Sequence, residues 1–158
     1  MISKLRGSIK GACHEGSKNQ NQTITSKLHQ TRGGINRLML SASCHCGAIE
    51  LEVDEKPQTL TECTCSICHR LGARWAYYTR GQVRISGAPT ARTAYLWGDK
   101  CIEFYHCKTC GCTTHYESIE KNDDSRVAIN TRMITRGDTA DIPLRKFDGA
   151  DTWEFLDE

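Results

Sequence analysis

The chain has 158 residues, a formal net charge of +2 and ten cysteines. It has no apolar run of 18 or more residues and no apolar stretch of the secretory type near its start, which argues against a membrane span and against export. Three prolines and 13 glycines exclude a collagen-like or proline-rich chain, and the cysteine content stands between ordinary usage and that of small disulfide scaffolds.

The small net charge conceals an asymmetry. Residues 1–38 carry seven Lys/Arg and a single acid, Glu15, a net of +6, which leaves −4 for residues 39–158. The basic segment lacks aromatic residues and contains the polar run Gly16-Ser17-Lys18-Asn19-Gln20-Asn21-Gln22. It has too little apolar surface to offset its ordering entropy, so we expect a largely disordered leader followed by one folded domain over 39–158. Such an arm could contact nucleic acid or act as a presequence. The plainer reading is a dispensable tail, or a start displaced from Met39. The acidic body speaks against nucleic acid as a partner.

From Met39 onward the apolar residues recur mostly at every second position, as in half-buried strands. Ile49, Leu51 and Val53 alternate with Glu50, Glu52 and Asp54. After Pro57, a short segment from Thr59 leads into the next cysteines, and one or two helical turns are expected around Ser66–Leu71. Trp75–Thr79 reads as an aromatic strand, Arg80-Gly81-Gln82 as a hairpin turn, and Val83 and Ile85 as the returning strand. Thr93–Trp97, then a turn at Gly98-Asp99-Lys100, then Ile102, Phe104 and His106 continue the pattern, followed by Thr113–Tyr116 and Val127–Asn130. No window shows a convincing helical stripe. Seven or eight short strands predict a mainly β fold, a sheet or sandwich with little helix.

Three cysteine clusters interrupt these strands. They are Cys44-His45-Cys46-Gly47, Cys63-Thr64-Cys65-Ser66-Ile67-Cys68 and Cys107-Lys108-Thr109-Cys110-Gly111. A Cys-x-x-Cys-Gly turn points two sulfurs at one ion, and tetrahedral zinc takes four ligands. The seven cysteines divide into four plus three. Cys44, Cys46, Cys107 and Cys110 close a structural site, and Cys63, Cys65 and Cys68 leave a fourth position open. Two alternatives compete. One is disulfide pairing, disfavoured by the Cys-x-Cys geometry and the lack of an export signal. The other is a closed second site completed by Cys101, Cys112 or a histidine. His45 should point away from the metal. Cys101 is expected as a buried strand residue, and Cys13 and Cys112 receive no metal role.

The order and spacing of these clusters resemble the glutathione-dependent formaldehyde-activating enzyme family, which includes centromere-protein-V-like proteins. The likeness covers about residues 40–155 and extends to Asp141-Ile142-Pro143-Leu144-Arg145-Lys146-Phe147-Asp148-Gly149 and Trp153. It implies a zinc-bearing fold of coiled antiparallel strands. It also implies a structural zinc on Cys44, Cys46, Cys107 and Cys110, and an active-site zinc on the catalytic cysteines Cys63, Cys65 and Cys68. The implied activity is carbon–sulfur lyase chemistry that joins or releases a small aldehyde and a thiol such as glutathione. A non-catalytic zinc-binding interaction module is the alternative. His69, His106 and Cys112 depart from the common family pattern without touching the implied ligands. Arg70 and Arg74 are candidate partners for the thiol's carboxylates, with a solvated surface as the competing reading. A cytoplasmic location is expected from the reduced-thiol reading.

Overall fold

A computed structural model describes residues 39–156, so the basic leader expected over 1–38 lies outside the described residues. The chain forms ten strands: β1 Leu40–Ser43, β2 Glu50–Val53, β3 Leu60–Cys63, β4 Trp75–Thr79, β5 Val83–Ser86, β6 Arg92–Leu96, β7 Ile102–Cys107, β8 Thr113–Ser118, β9 Arg126–Asn130 and β10 Leu144–Phe147. The one α-helix among the described residues, α1, spans Ser66–Leu71, where the sequence suggests a helical turn. The mainly β expectation therefore holds, with more strands than the alternation reveals.

The strands form two sheets, one of three strands in the order β1-β2-β5 and one of seven in the order β10-β3-β4-β9-β8-β7-β6. All pairings are antiparallel except β10 with β3, which is parallel. The sequence alternation tells which face each residue takes. Leu40, Leu51, Val53 and Val83 of the small sheet pack against Val127 and Ile129 of the large one. Ala128, one residue out of phase, faces the opposite side, where Trp75, Phe104 and Tyr116 form a second core under α1. Its rings meet at an angle, with Trp75 and Tyr116 centroids 4.9 Å apart and Phe104 and Tyr116 5.4 Å apart. The large sheet is thus covered by a sheet on one face and by the short helix on the other.

Two local expectations are corrected. Arg80-Gly81-Gln82 is a 3₁₀ turn rather than a hairpin turn: β4 pairs with β9, and β5 crosses to pair with β2 in the small sheet. Gln82 caps this turn from its side chain, accepting from the Thr79 backbone N–H at 2.9 Å, which redirects the chain between sheets. Cys101 is not a buried strand residue. It precedes β7 and is half-buried. The Gly98-Asp99-Lys100 turn does join an antiparallel pair, β6 and β7.

A polar network is built into the buried surface of β8. His115 is fully buried, and its ring stacks on Tyr105 at 4.7 Å. Its Nδ1 lies 2.8 Å from the Thr114 hydroxyl and its Nε2 3.1 Å from Glu117 Oε1. Burial drives the imidazole pKa down, so it is neutral at pH 7 and donates its Nε2–H to Glu117. The charge that holds Glu117 ionised is therefore Lys121, 3.1 Å away, aided by Arg80 at 3.7 Å. Burial opposes the charge, yet the His115 hydrogen bond and Lys121 together bring the carboxyl down to about 2. A carboxyl lowered on folding contributes stability that is complete above its ordinary value and is lost as the pH falls through its folded one. Glu117→Gln should therefore cost about 2 kcal/mol near pH 7, a figure reduced because both cations are partly exposed. The difference in urea midpoint between wild type and variant should shrink as the pH falls from about 4.5 towards about 2. An unchanged difference would place the stabilisation elsewhere.

Candidate metal centres

The first cysteine group is assembled at the junction of the two sheets. Cys44 follows β1 and Cys107 ends β7, and both are buried. Each opens a tight turn closed by backbone, Gly47 N–H to Cys44 O at 2.9 Å and Gly111 N–H to Cys107 O at 2.9 Å. Both turn glycines have positive φ, +76° and +73°, which a side chain would strain. The sulfurs of Cys44, Cys46, Cys107 and Cys110 lie within 4.8 Å of one another, with Cys46 3.6 Å from both Cys44 and Cys107. Sulfurs placed tetrahedrally at about 2.3 Å from zinc are about 3.8 Å apart, so the group fits that ion without rearrangement. Backbone donors prepare it for negative charge: Ile49 N–H reaches Cys44 Sγ at 3.4 Å. The Cys112 and Cys46 amides bring the Cys110 thiol down to about 5. Cys46, despite the Ala48 amide, is pushed up to about 12 by the Cys107 and Cys44 sulfurs beside it. Such crowding opposes joint ionisation, and a divalent cation relieves it.

The second group sits on the opposite face of the large sheet. Cys63 ends β3, Cys65 is the N-cap of α1, and Cys68 lies on its first turn. Their sulfurs also lie within 4.8 Å of one another, and no histidine, carboxylate or fourth cysteine joins them among the described residues. Cys65 N–H points at Cys63 Sγ, 3.4 Å away, and the Trp75 indole N–H donates to Cys68 Sγ at 3.2 Å. Hydrogen bonds from the Cys63 and Cys68 side chains, aided by the Cys68 and Ile67 amides, bring the Cys65 thiol down to about 3. Its neighbours respond in the opposite sense. Cys63 rises to about 11 through Cys65, and Cys68 rises far higher through Cys63 and Cys65. The chemistry of this donor set is that of three thiols able to surrender their protons together only to a cation.

A C-terminal turn closes over the second group. The Phe147 carbonyl accepts from Thr64 N–H at 3.0 Å, and the Thr64 hydroxyl donates to Asp148 Oδ1 at 2.9 Å. Gly149 then passes so close that an added Cβ would stand 2.6 Å from Cys63 Sγ and 3.1 Å from Cys65 Cβ. The glycine is required by this approach. On the other side Tyr77, 43% exposed, and the buried Tyr116 stand with ring centroids 6.5 Å apart. Desolvation, reinforced by the Cys68 and Cys63 sulfurs, raises the Tyr77 phenol to about 12, so it stays protonated near neutral pH.

The structure groups the seven cysteines four and three as expected, and places His45 and His69 on the exposed surface outside both groups. The Cys112 sulfur also stays outside them. The two arginines proposed from sequence proximity do not converge on the three-sulfur group. The Arg70 guanidinium bonds the Ser66 carbonyl at 2.8 Å, and Arg74 pairs with Glu62 at 3.0 Å. Thr64 and Gly149 are the neighbours that sequence reasoning missed, and Trp75 and Tyr77 it read as strand aromatics more often core than pocket wall. Only the tail motif hinted at Gly149.

The chain matches the sequence profile described as glutathione-dependent formaldehyde-activating enzyme over residues 39–143. The closing segment with Gly149 lies beyond the matched region. Among solved structures it is similar to a Rhodobacter sphaeroides protein, with 26% identity and a TM-score of 0.53 over 66% of this chain and 99% of that one. Among the described residues no helix is long and apolar enough to cross a membrane.

Proposed function

Because the chain belongs to the glutathione-dependent formaldehyde-activating enzyme family, we propose that it is a carbon–sulfur lyase of the S-(hydroxymethyl)glutathione synthase type. It joins a small aldehyde, formaldehyde first, to the thiol of glutathione and catalyses the reverse cleavage. In this reading Cys44, Cys46, Cys107 and Cys110 hold a structural zinc, and Cys63, Cys65 and Cys68 hold a second one at the active site. The observation that supports it is the difference between two sulfur groups in one domain, four in one and three in the other. A structural zinc site closes all four positions, whereas a catalytic one keeps a place for a reactant. Zinc held by three thiolates supplies, when bound, a position at which an incoming thiol gives up its proton.

The chain's own groups do the rest. The Trp75 indole N–H steadies the Cys68 sulfur and the Cys68 and Ile67 amides steady that of Cys65, so the cluster keeps its shape while its charge changes. In the forward direction the substrate sulfur forms a bond to the carbonyl carbon, the C=O π pair moves to oxygen, and that oxygen takes a proton. Tyr77, on the same face of β4 as Trp75 and protonated near neutral pH, is the group we assign as proton donor to that oxygen. In the reverse direction the oxygen loses its proton, the C=O bond re-forms and the C–S bond breaks. Holding the thiol and the aldehyde together removes much of the entropic part of the barrier.

Exchange between free formaldehyde and its glutathione adduct, followed by NMR magnetisation transfer, tests the reading. Catalytic amounts of protein should accelerate exchange above the spontaneous rate. Tyr77→Phe should lower kcat by about tenfold to a hundredfold with metal content unchanged. No acceleration by wild-type protein carrying both metals would favour the non-catalytic binding module instead.

A further inference from the structure

The large sheet carries a concavity remote from the cysteines. A cleft of about 460 Å³ opens between the start of β3 and β10, the 3₁₀ turn at Thr131–Met133, and the loop that follows it. It lies on the side of the sheet away from the three-sulfur group. Thr61 pairs with Trp75, whose ring faces α1, so the flanking Leu60 and Arg74 point the other way.

Its lining is chemically lopsided. Arg74, Arg132 and Arg136 all border the cleft, and no aspartate or glutamate does. Glu62 answers Arg74 at 3.0 Å. Arg132 gives its Nε–H to the Gly72 carbonyl at 3.3 Å, a neutral partner that leaves its charge uncompensated. Arg136 has no ion-pair partner among the described residues. The rest of the lining combines the apolar side chains of Leu60, Ile134, Ile142 and Leu144 with the hydroxyls of Thr131, Thr135 and Thr139. Two excess guanidinium groups beside an apolar wall, in a space of the size that holds small organic ligands, are complementary to one class of molecule.

We propose that this cleft is a binding site for a small organic dianion, a dicarboxylate with an apolar frame. Arg132 and Arg136 receive its charged ends, and the leucine and isoleucine wall takes its carbon skeleton. A bare inorganic anion would leave that wall unused. The site is distinct from the three-sulfur group, because no cysteine lines it.

The test is titration of the zinc-loaded full chain with linear dicarboxylates from butanedioate to octanedioate, read by amide NMR. At least one member should saturate at millimolar concentration or below, shifting the amides of residues 134–142. Arg136→Gln and Arg132→Gln should each weaken it by about tenfold, with the Cys65→Ser protein titrating as wild type. Arg136 lies on an exposed loop, so its replacement leaves the fold intact. The proposal is overturned by the absence of any saturating dicarboxylate, by equal affinity in the arginine variants, or by shifts centred on residues 63–68.

Discussion

Replacing Cys65 with serine should lower the catalysed glutathione–formaldehyde exchange by at least about a hundredfold while leaving the fold intact. The loss follows from the sulfur itself. Cys65 has the most acidic thiol of its group, at about 3, held there by the Cys63 and Cys68 side chains and by the Cys68 and Ile67 amides. A serine hydroxyl in the same place keeps its proton near neutral pH, so the three-thiolate set becomes a pair. The fold survives because Cys65 occupies the N-cap of α1, where serine is among the preferred residues. The variant should lose one zinc and shift its urea midpoint only slightly. Retained exchange would sink the assignment of the active site to this cluster.

Replacing Cys107 with serine should instead unfold the domain. Cys107 is 1% exposed, ends β7, and packs into the core between the two sheets beside Ile49 and Val127. It belongs to the group that ties the end of β1 to the end of β7. Structural zinc sites contribute about 10 kcal/mol of apparent folding free energy, which is comparable to the whole stability of a small domain. Losing one of four thiolates forfeits much of that and leaves the others crowded without compensation. The expected result is loss of amide NMR dispersion and of bound metal at ambient temperature. Cys112→Ser, close by but outside the group, should fold normally. A Cys107→Ser protein with a wild-type urea midpoint would mean that the four-sulfur site does not hold the fold.

The contrast between these variants rests on features that were unequally legible in the sequence. The four-plus-three division could be read because each cysteine cluster is local: a turn with a glycine behind it points neighbouring sulfurs the same way whatever the tertiary fold. Strands with one buried face, such as Glu50–Val53, declared themselves by alternation. The helix at Ser66–Leu71 was visible as a break in it. What escaped was set by pairing between distant segments. β10 has exposed Leu144 and Lys146 and no apolar alternation, and its strand character comes from lying parallel to β3. The need for glycine at 149 arises only because that pairing drapes the tail over Cys63. Trp75 read as part of an aromatic strand and lies in the core, yet its indole N–H serves the Cys68 sulfur from within that core. Arg74 illustrates the opposite failure: closeness in sequence to the cysteines suggested a role there, and strand alternation turned its side chain to the other face.

Zinc analysis of the purified chain, made alongside the Cys65→Ser protein, tests the central claim that one domain holds two metals for different purposes. Two zinc ions per wild-type chain and one in the variant, with both proteins folded, is the predicted result. Fewer than one zinc per wild-type chain, or equal zinc in the two proteins, would contradict it.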